Sequence, residues 1–191
     1  IQQGYQKAVE GGADAAVFPE LALLGYPPQD LVEKREFREA VFSAVEELAK
    51  GTGKTALIFG AISEIPDNIG TNLFNSVYLC ADGEVKFIRN KTLLPNYDVF
   101  DEMRYFESAE SNDICEFNGV KLGLSICEDI WNDKDFWKQR LYTIDPVEKQ
   151  IKQGAEIIIN ISASPYSYGK RTEKAEMLSS ISSKYGVPLV Y

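Results

Sequence analysis

The sequence predicts an α/β chain in which mixed β-sheets carry helices packed outside them. Asp82-Gly83 and Asn118-Gly119 each lie between two β-rich runs, the strongest short hairpin signal, so some neighbouring strands are antiparallel. Other strands, "TALIFGAI" and "AEIIINISA", are continuous apolar runs of the kind buried on both faces and linked by helical crossovers. With 191 residues, 45% of them apolar and 26% charged, the chain can bury one sizeable core.

The elements follow in order. Ile1, Tyr5, Ala8 and Val9 stand at helical spacing until Gly11-Gly12 ends the run. "ADAAVF" is a short buried strand, and Gly25 with Pro27-Pro28 makes a loop. Gln29 or Asp30 starts a helix running from Leu31 to Lys50, with Phe37, Val41, Ala44, Val45 and Leu48 on one face. After "TALIFGAI" come the two hairpins, "NSVYLCADGEVKFIR" and "DICEFNGVKLGLSIC". Between them lies "NKTLLPNYDVFDEMRYFESAESND", and a loop of that length in a compact domain is usually functional. "KDFWKQRLYTI" and "PVEKQIKQ" read as helical, separated at Asp145-Pro146. "AEIIINISA" is a strand, "SPYSYGK" a loop, "RTEKAEMLSSISSKYG" a helix, and "VPLVY" a last strand. The expected order is α-β-α-β-β-β-β-β-α-β-α-β, without repeats, low-complexity tracts or internal linkers.

Composition narrows function. A formal charge of -9 disfavours nucleic acid and anionic membrane surfaces. No apolar run approaches a membrane span, and no signal-peptide pattern opens the chain. Cys80, Cys115 and Cys127 are too irregularly spaced for a disulfide framework or a zinc site, so a cytoplasmic location is expected. The first residue is not Met and lies inside a helical pattern, while the last lies inside a strand-like run. The chain therefore reads as a piece of a longer protein.

With no histidine, Ser-His-Asp and Cys-His catalysis within this chain are excluded. "KGTGKT" lacks the spacing of a phosphate-binding loop and reads as a helix stop. What remains is a thiol that needs another base. Cys127 ends the apolar run "KLGLSIC" and is followed by Glu128 and Asp129. Glu20, in "AAVFPEL", closes an apolar strand behind a proline, where burial would raise a carboxylate toward neutrality and let it act as a base. Lys91, in "IRNKTLLP", sits just past a strand, where an ammonium would favour a thiolate and stabilise an oxyanion. Each has a plainer reading: a solvated turn acid or helix cap, a surface lysine, and a cysteine serving as a small buried hydrophobe.

Together, "FPEL", "NKTLLPNYDVFDEMRYF" and "GLSICEDIW" resemble the Glu, Lys and Cys motifs of the nitrilase (carbon-nitrogen hydrolase) superfamily, in that chain order. "INISASPYSYGK" is similar to its substrate-pocket strand and loop. "GYPPQDL", "LPNYDVFDEMRYF" and "CEDIW" resemble more narrowly the N-terminal glutamine amidotransferase domain of glutamine-dependent NAD synthetases. The resemblance implies a four-layer αββα sandwich (α+β in some schemes). Residues 1–191 would form one nitrilase-like glutaminase domain, truncated at both ends, with terminal strands and the synthetase domain absent. Missing strands would leave unpaired sheet edges.

The resemblance also implies the chemistry: glutamine amide hydrolysis through a thioester, with Cys127 as nucleophile and Glu20 as acid-base. Lys91 and the Glu128 backbone N–H would stabilise the oxyanion, and Glu102 would support the site, or else simply pair with Arg104 or Lys91. Tyr26, Tyr97 and Phe100 match positions lining the glutamine pocket. Ser164 and Lys170 match positions that meet the substrate's amino and carboxylate groups. Glu128 matches a position for the substrate ammonium, and its plainer reading is an acid at a helix N-terminus. The domain itself would need no cofactor or metal, whereas the synthetase domain would use ATP and Mg. The implied partners are glutamine, a synthetase domain of the same polypeptide and a second copy of the chain, paired through helices near 134–153. Two other readings stand beside this one: a stand-alone hydrolase (omega-amidase, carbamoylase or nitrilase) and a non-catalytic assembly fragment.

Overall fold

A computed structural model describes residues 1–65, 70–165 and 168–191. Two of the residues in "SPYSYGK", Tyr166 and Ser167, lie outside this set. The chain divides into two compact units, Ile1–Ala109 and Glu110–Tyr191.

In the first unit, helix α1 (Gln2–Glu10) leads into strand β1 (Ala15–Val17), helix α2 (Arg35–Lys50) and strands β2 (Ala56–Glu64), β3 (Leu73–Ala81) and β4 (Glu84–Asn90). The sheet order is β1-β2-β3-β4. β1 is parallel to β2 because α2 lies between them in sequence, whereas β2, β3 and β4 are antiparallel neighbours. The β3–β4 turn is the expected one. Asp82 (φ 52°) and Gly83 (φ 78°) both take left-handed backbone, which two-residue hairpin turns of this kind require. α2 turns Val41, Val45 and Leu48 inward, onto a core that includes Leu57, Phe59 and Tyr78. Its start differs from expectation. Gln29–Glu33 form a separate 3-10 turn, and Lys34 is extended (ψ 121°), so the α-helix begins only at Arg35.

In the second unit, β5 (Cys115–Phe117) and β6 (Val120–Ile126) form the second hairpin across Asn118 (φ 50°) and Gly119 (φ 78°). β6 then runs parallel to β7 (Ile157–Ile161), and β7 to β8 (Leu189–Val190). Helices α3 (Pro146–Lys152) and α4 (Lys170–Tyr185) provide the crossovers. Val147 of α3, Ile158 of β7, and Met177 and Ile181 of α4 meet in one buried cluster. Gly186, left-handed at φ 65°, ends α4 and donates its N–H to the Ser182 carbonyl.

The segment "KDFWKQRLYTI" is not a helix. Side chains satisfy its backbone in place of a helical ladder. Asp133 Oδ1 accepts the N–H groups of Asp135 and Phe136, each at 2.9 Å, and Asn132 donates to the carbonyls of Tyr142 and Ile144. Arg140 donates to the carbonyls of Tyr142 and Thr143. Asp and Asn compete with helices in this way because their short side chains reach nearby backbone. The helix resumes at Pro146, where Asp145 caps the Glu148 N–H at 2.9 Å. Among the described residues, no helix is long and apolar enough to cross a membrane, and no group of three or more His, Cys, Asp and Glu could hold a metal ion.

Candidate active site

Glu20 follows β1 on a segment that stays against β2. Phe18 N–H bonds to the Ile58 carbonyl, Gly60 N–H to the Pro19 carbonyl, and Leu23 N–H to the Gly60 carbonyl. The approach is closer than a side chain would allow. A Cβ on residue 60 would lie 2.2 Å from the Leu21 nitrogen and 2.7 Å from the Glu20 carbonyl carbon. Gly60 is thus what lets the acid's own peptide rest on the sheet. Lys91 follows β4 directly, with its N–H on the Asn75 carbonyl at 2.8 Å. Glu102 begins a short 3-10 turn (Glu102–Arg104) after the long loop has folded back, with its N–H on the Pro95 carbonyl.

These backbones bring four of the expected residues together. The Lys91 ammonium lies 2.8 Å from Glu20 Oε1 and 2.8 Å from each oxygen of Glu102. The Lys91 and Glu20 side chains are fully buried and that of Glu102 is 5% exposed. Tyr26 donates its hydroxyl to Glu102 Oε1 at 2.9 Å. One ammonium faces two carboxylates, so the neutral donors matter: Tyr26 serves Glu102, and Asn75 Nδ2 serves Glu20 Oε1 at 2.8 Å. Burial raises the Glu102 carboxyl above its ordinary range, Lys91 and the Tyr26 hydroxyl oppose the rise, and the Glu20 charge adds to it. Burial, then the Glu102 charge, holds the Tyr26 phenol far above its ordinary value, so it stays a proton donor. Tyr97 and Phe100 continue from Tyr26 as an edge-on aromatic run, with centroids 6.3 Å apart for Tyr26–Phe100 and 5.6 Å for Tyr97–Phe100.

In the second unit, Cys127 is the first residue after β6 and opens a 3-10 turn (Cys127–Ile130). Its backbone is left-handed at φ 41°, an unfavourable conformation for a residue with a Cβ. Ser162, just past β7, donates to Cys127 Sγ at 3.3 Å, and Asn160 Nδ2 bonds Ser125 Oγ at 2.8 Å and the Cys127 carbonyl at 3.4 Å. Glu128 is buried and accepts the Tyr142 hydroxyl at 3.2 Å. Ser164 lies within 3.0 Å of the Ser162 hydroxyl and 2.9 Å of the Tyr191 hydroxyl. Lys170 opens α4 with its ammonium 5.5 Å from the Trp131 ring centroid, a cation–π contact.

Asn75, Asn160, Ser162 and Tyr191 were not singled out from the sequence. Asn160 and Ser162 carried a faint signal: polar residues two apart, on one face, closing the apolar run "IIIN".

The family model for carbon-nitrogen hydrolases matches residues 1–184. The chain belongs to the carbon-nitrogen hydrolase family. Among curated relatives of this carbon-nitrogen hydrolase, the glutamine-dependent NAD(+) synthetase of Synechocystis sp. is 40% identical over 184 residues, covering 94% of this chain and 33% of the relative. That of Thermotoga maritima is 36% identical over 191 residues, covering 96% and 30%. The chain thus spans about a third of the length of the curated relatives it matches. Among solved structures, glutamine-dependent NAD+ synthetase from Acinetobacter baumannii aligns over 100% of this chain and 33% of its own, with TM-score 0.86 and 30% identity. The NitN amidase from Neterenkonia sp. AN1 aligns over 99% and 68%, with TM-score 0.77 and 22% identity, a likeness of fold. The α/β fold is therefore of nitrilase type, as the sequence motifs implied.

Proposed function

We propose that this carbon-nitrogen hydrolase cleaves the side-chain amide of glutamine and supplies the ammonia to an ATP- and Mg-using NAD synthetase domain of the same polypeptide. The observation that carries the reading is the Lys91 ammonium, buried between the carboxylates of Glu20 and Glu102. Taking three charges out of water costs several kcal/mol per ion in real proteins, roughly, which a merely structural role does not require. Family membership and the names of the relatives supply the reaction class and the substrate.

In the proposed cycle the Cys127 thiol gives its proton to Glu20 and its sulfur attacks the amide carbon. Lys91 and the Glu128 backbone N–H stabilise the oxyanion, and each such donor is worth on the order of a hundredfold in rate. The C–N bond breaks as Glu20 returns the proton to the departing nitrogen, releasing ammonia and leaving a thioester. Glu20 then takes a proton from water, whose oxygen attacks the thioester. The C–S bond breaks, glutamate leaves, and the proton returns to sulfur. Tyr26, Tyr97 and Phe100 flank the substrate's side chain. Glu128, Ser164 and Lys170 hold its amino and carboxylate groups, with Lys170 acting as a point charge.

The test is Cys127→Ala in the full-length protein. Glutamine-driven NAD synthesis is lost while ammonia-driven synthesis survives. Equal loss of both would refute the division of labour.

A further inference from the structure

Beside the Cys127 sulfur, three hydroxyls lie within hydrogen-bond distance of one another. Ser162 Oγ lies 3.3 Å from Cys127 Sγ, 2.9 Å from the Tyr191 hydroxyl and 3.0 Å from Ser164 Oγ, and it accepts the Ser164 backbone N–H at 3.2 Å. A serine hydroxyl has one proton and two acceptor positions. The Ser164 N–H takes one of those positions, and its direction is fixed because a backbone amide only donates. If the Ser162 proton went to Tyr191 or Ser164, a lone pair would face the sulfur, which as a thiolate can only accept. With the proton on the sulfur side, Tyr191 donates to the second position of Ser162, and Ser164 donates to Tyr191, 2.9 Å away. Every hydroxyl then donates once, in the sequence Ser164, Tyr191, Ser162, sulfur.

The neighbouring residue of β7 holds the turn that carries the sulfur. Asn160, in β7 and two residues before Ser162, donates to the Cys127 carbonyl at 3.4 Å and to Ser125 Oγ at 2.8 Å. The end of β7 and the residue just past it thus hold the turn that carries the sulfur and the donor bonded to it.

We propose that Ser162 is a further catalytic residue, whose hydroxyl stabilises the Cys127 thiolate while Tyr191 and Ser164 set the direction of its proton. The proposal rests on Cys127 being the nucleophile of the glutaminase reading. A hydrogen bond to a charged acceptor is stronger than one to a neutral group, so the thiolate gains more from this donor than the thiol does.

The experiment is pH-dependent alkylation of Cys127 by iodoacetamide in the full-length protein, with the labelled site read by mass spectrometry. In Ser162→Ala the midpoint of the rate profile moves to higher pH, and glutamine turnover falls roughly tenfold, the loss expected for one charge-assisted hydrogen bond. Tyr191→Phe moves the midpoint in the same direction by less, and it decides the matter should Ser162→Ala fail to fold. An unchanged or lowered midpoint overturns the proposal. Failure of the underlying reading looks different: Cys127→Ala would keep hydrolysing glutamine, whatever the alkylation profiles show.

Discussion

The Lys91 ammonium is bonded to both oxygens of Glu102 at 2.8 Å, and the pair is eleven residues apart in sequence, joined by the folding back of the loop after β4. Glu20 completes the group from 71 residues away. Lys91→Met would remove the counter-charge that the buried carboxylates of Glu20 and Glu102 share. Removing one partner of a buried ion pair destabilises by about 3–5 kcal/mol. Denaturant unfolding should show a loss of that order beside the loss of glutamine hydrolysis. A variant as stable as the parent would mean that the ammonium is not held as described.

Glu102 gives a pH test with a defined sign. Its folded-state pKa is raised above the ordinary 4.5 by burial, with Lys91 opposing and Glu20 adding to the effect. The folded state therefore binds this proton more tightly than the unfolded state does. The stabilisation is present in full below about 4.5 and is lost as pH rises through the raised value. Compared with the parent, Glu102→Gln should be less sensitive to pH across that window. Parallel stability profiles for the two proteins would contradict the assignment.

Asn75 is fully buried, and its Nδ2 is 2.8 Å from Glu20 Oε1, the oxygen that Lys91 also holds. Two donors on one oxygen fix the rotation of the carboxylate. Asn75→Leu keeps the branched shape and removes the donor, so kcat for glutamine should fall about tenfold, the worth of a hydrogen bond to a charged group. KM should change little. A raised KM at unchanged kcat would place Asn75 in substrate binding and not in positioning.

The left-handed backbone at Cys127 also has a thermodynamic signature. Left-handed backbone costs a residue with a Cβ roughly 1–2 kcal/mol, and glycine's extra unfolded-state entropy returns part of any gain. Of two variants that lack the thiol, Cys127→Gly should be more stable than Cys127→Ala by about 0.5–1 kcal/mol. The reverse order would show that the turn is relaxed.

Much of the fold was legible because local chemistry dictated it. Asp82-Gly83 and Asn118-Gly119 announced their hairpins, since few residue pairs tolerate left-handed backbone twice in succession. The apolar face of α2 followed from spacing, although its first turn did not, because Lys34 turns extended before the helix begins. The segment after Cys127 was misread for a related reason. Its periodicity is helical, but Asn132, Asp133 and Arg140 bond the backbone through side chains, which a pattern of apolar positions does not register. Glu20, Lys91 and Cys127 were marked by motifs. Asn75 and Ser162 were not, because their partners lie 55 and 35 residues away and neither residue type is unusual where it stands.

Position 60 sets the terms on which the acid can be moved to another scaffold. A grafted Glu20 needs, on the neighbouring strand, a residue with no side chain facing its peptide, since any Cβ there meets the Leu21 nitrogen at 2.2 Å. Descendants of this sequence are free to exchange one aliphatic residue for another of similar volume at Leu57 or Ile62. At Gly60 they are not, and a single added methyl group would push the carboxylate away from its lysine.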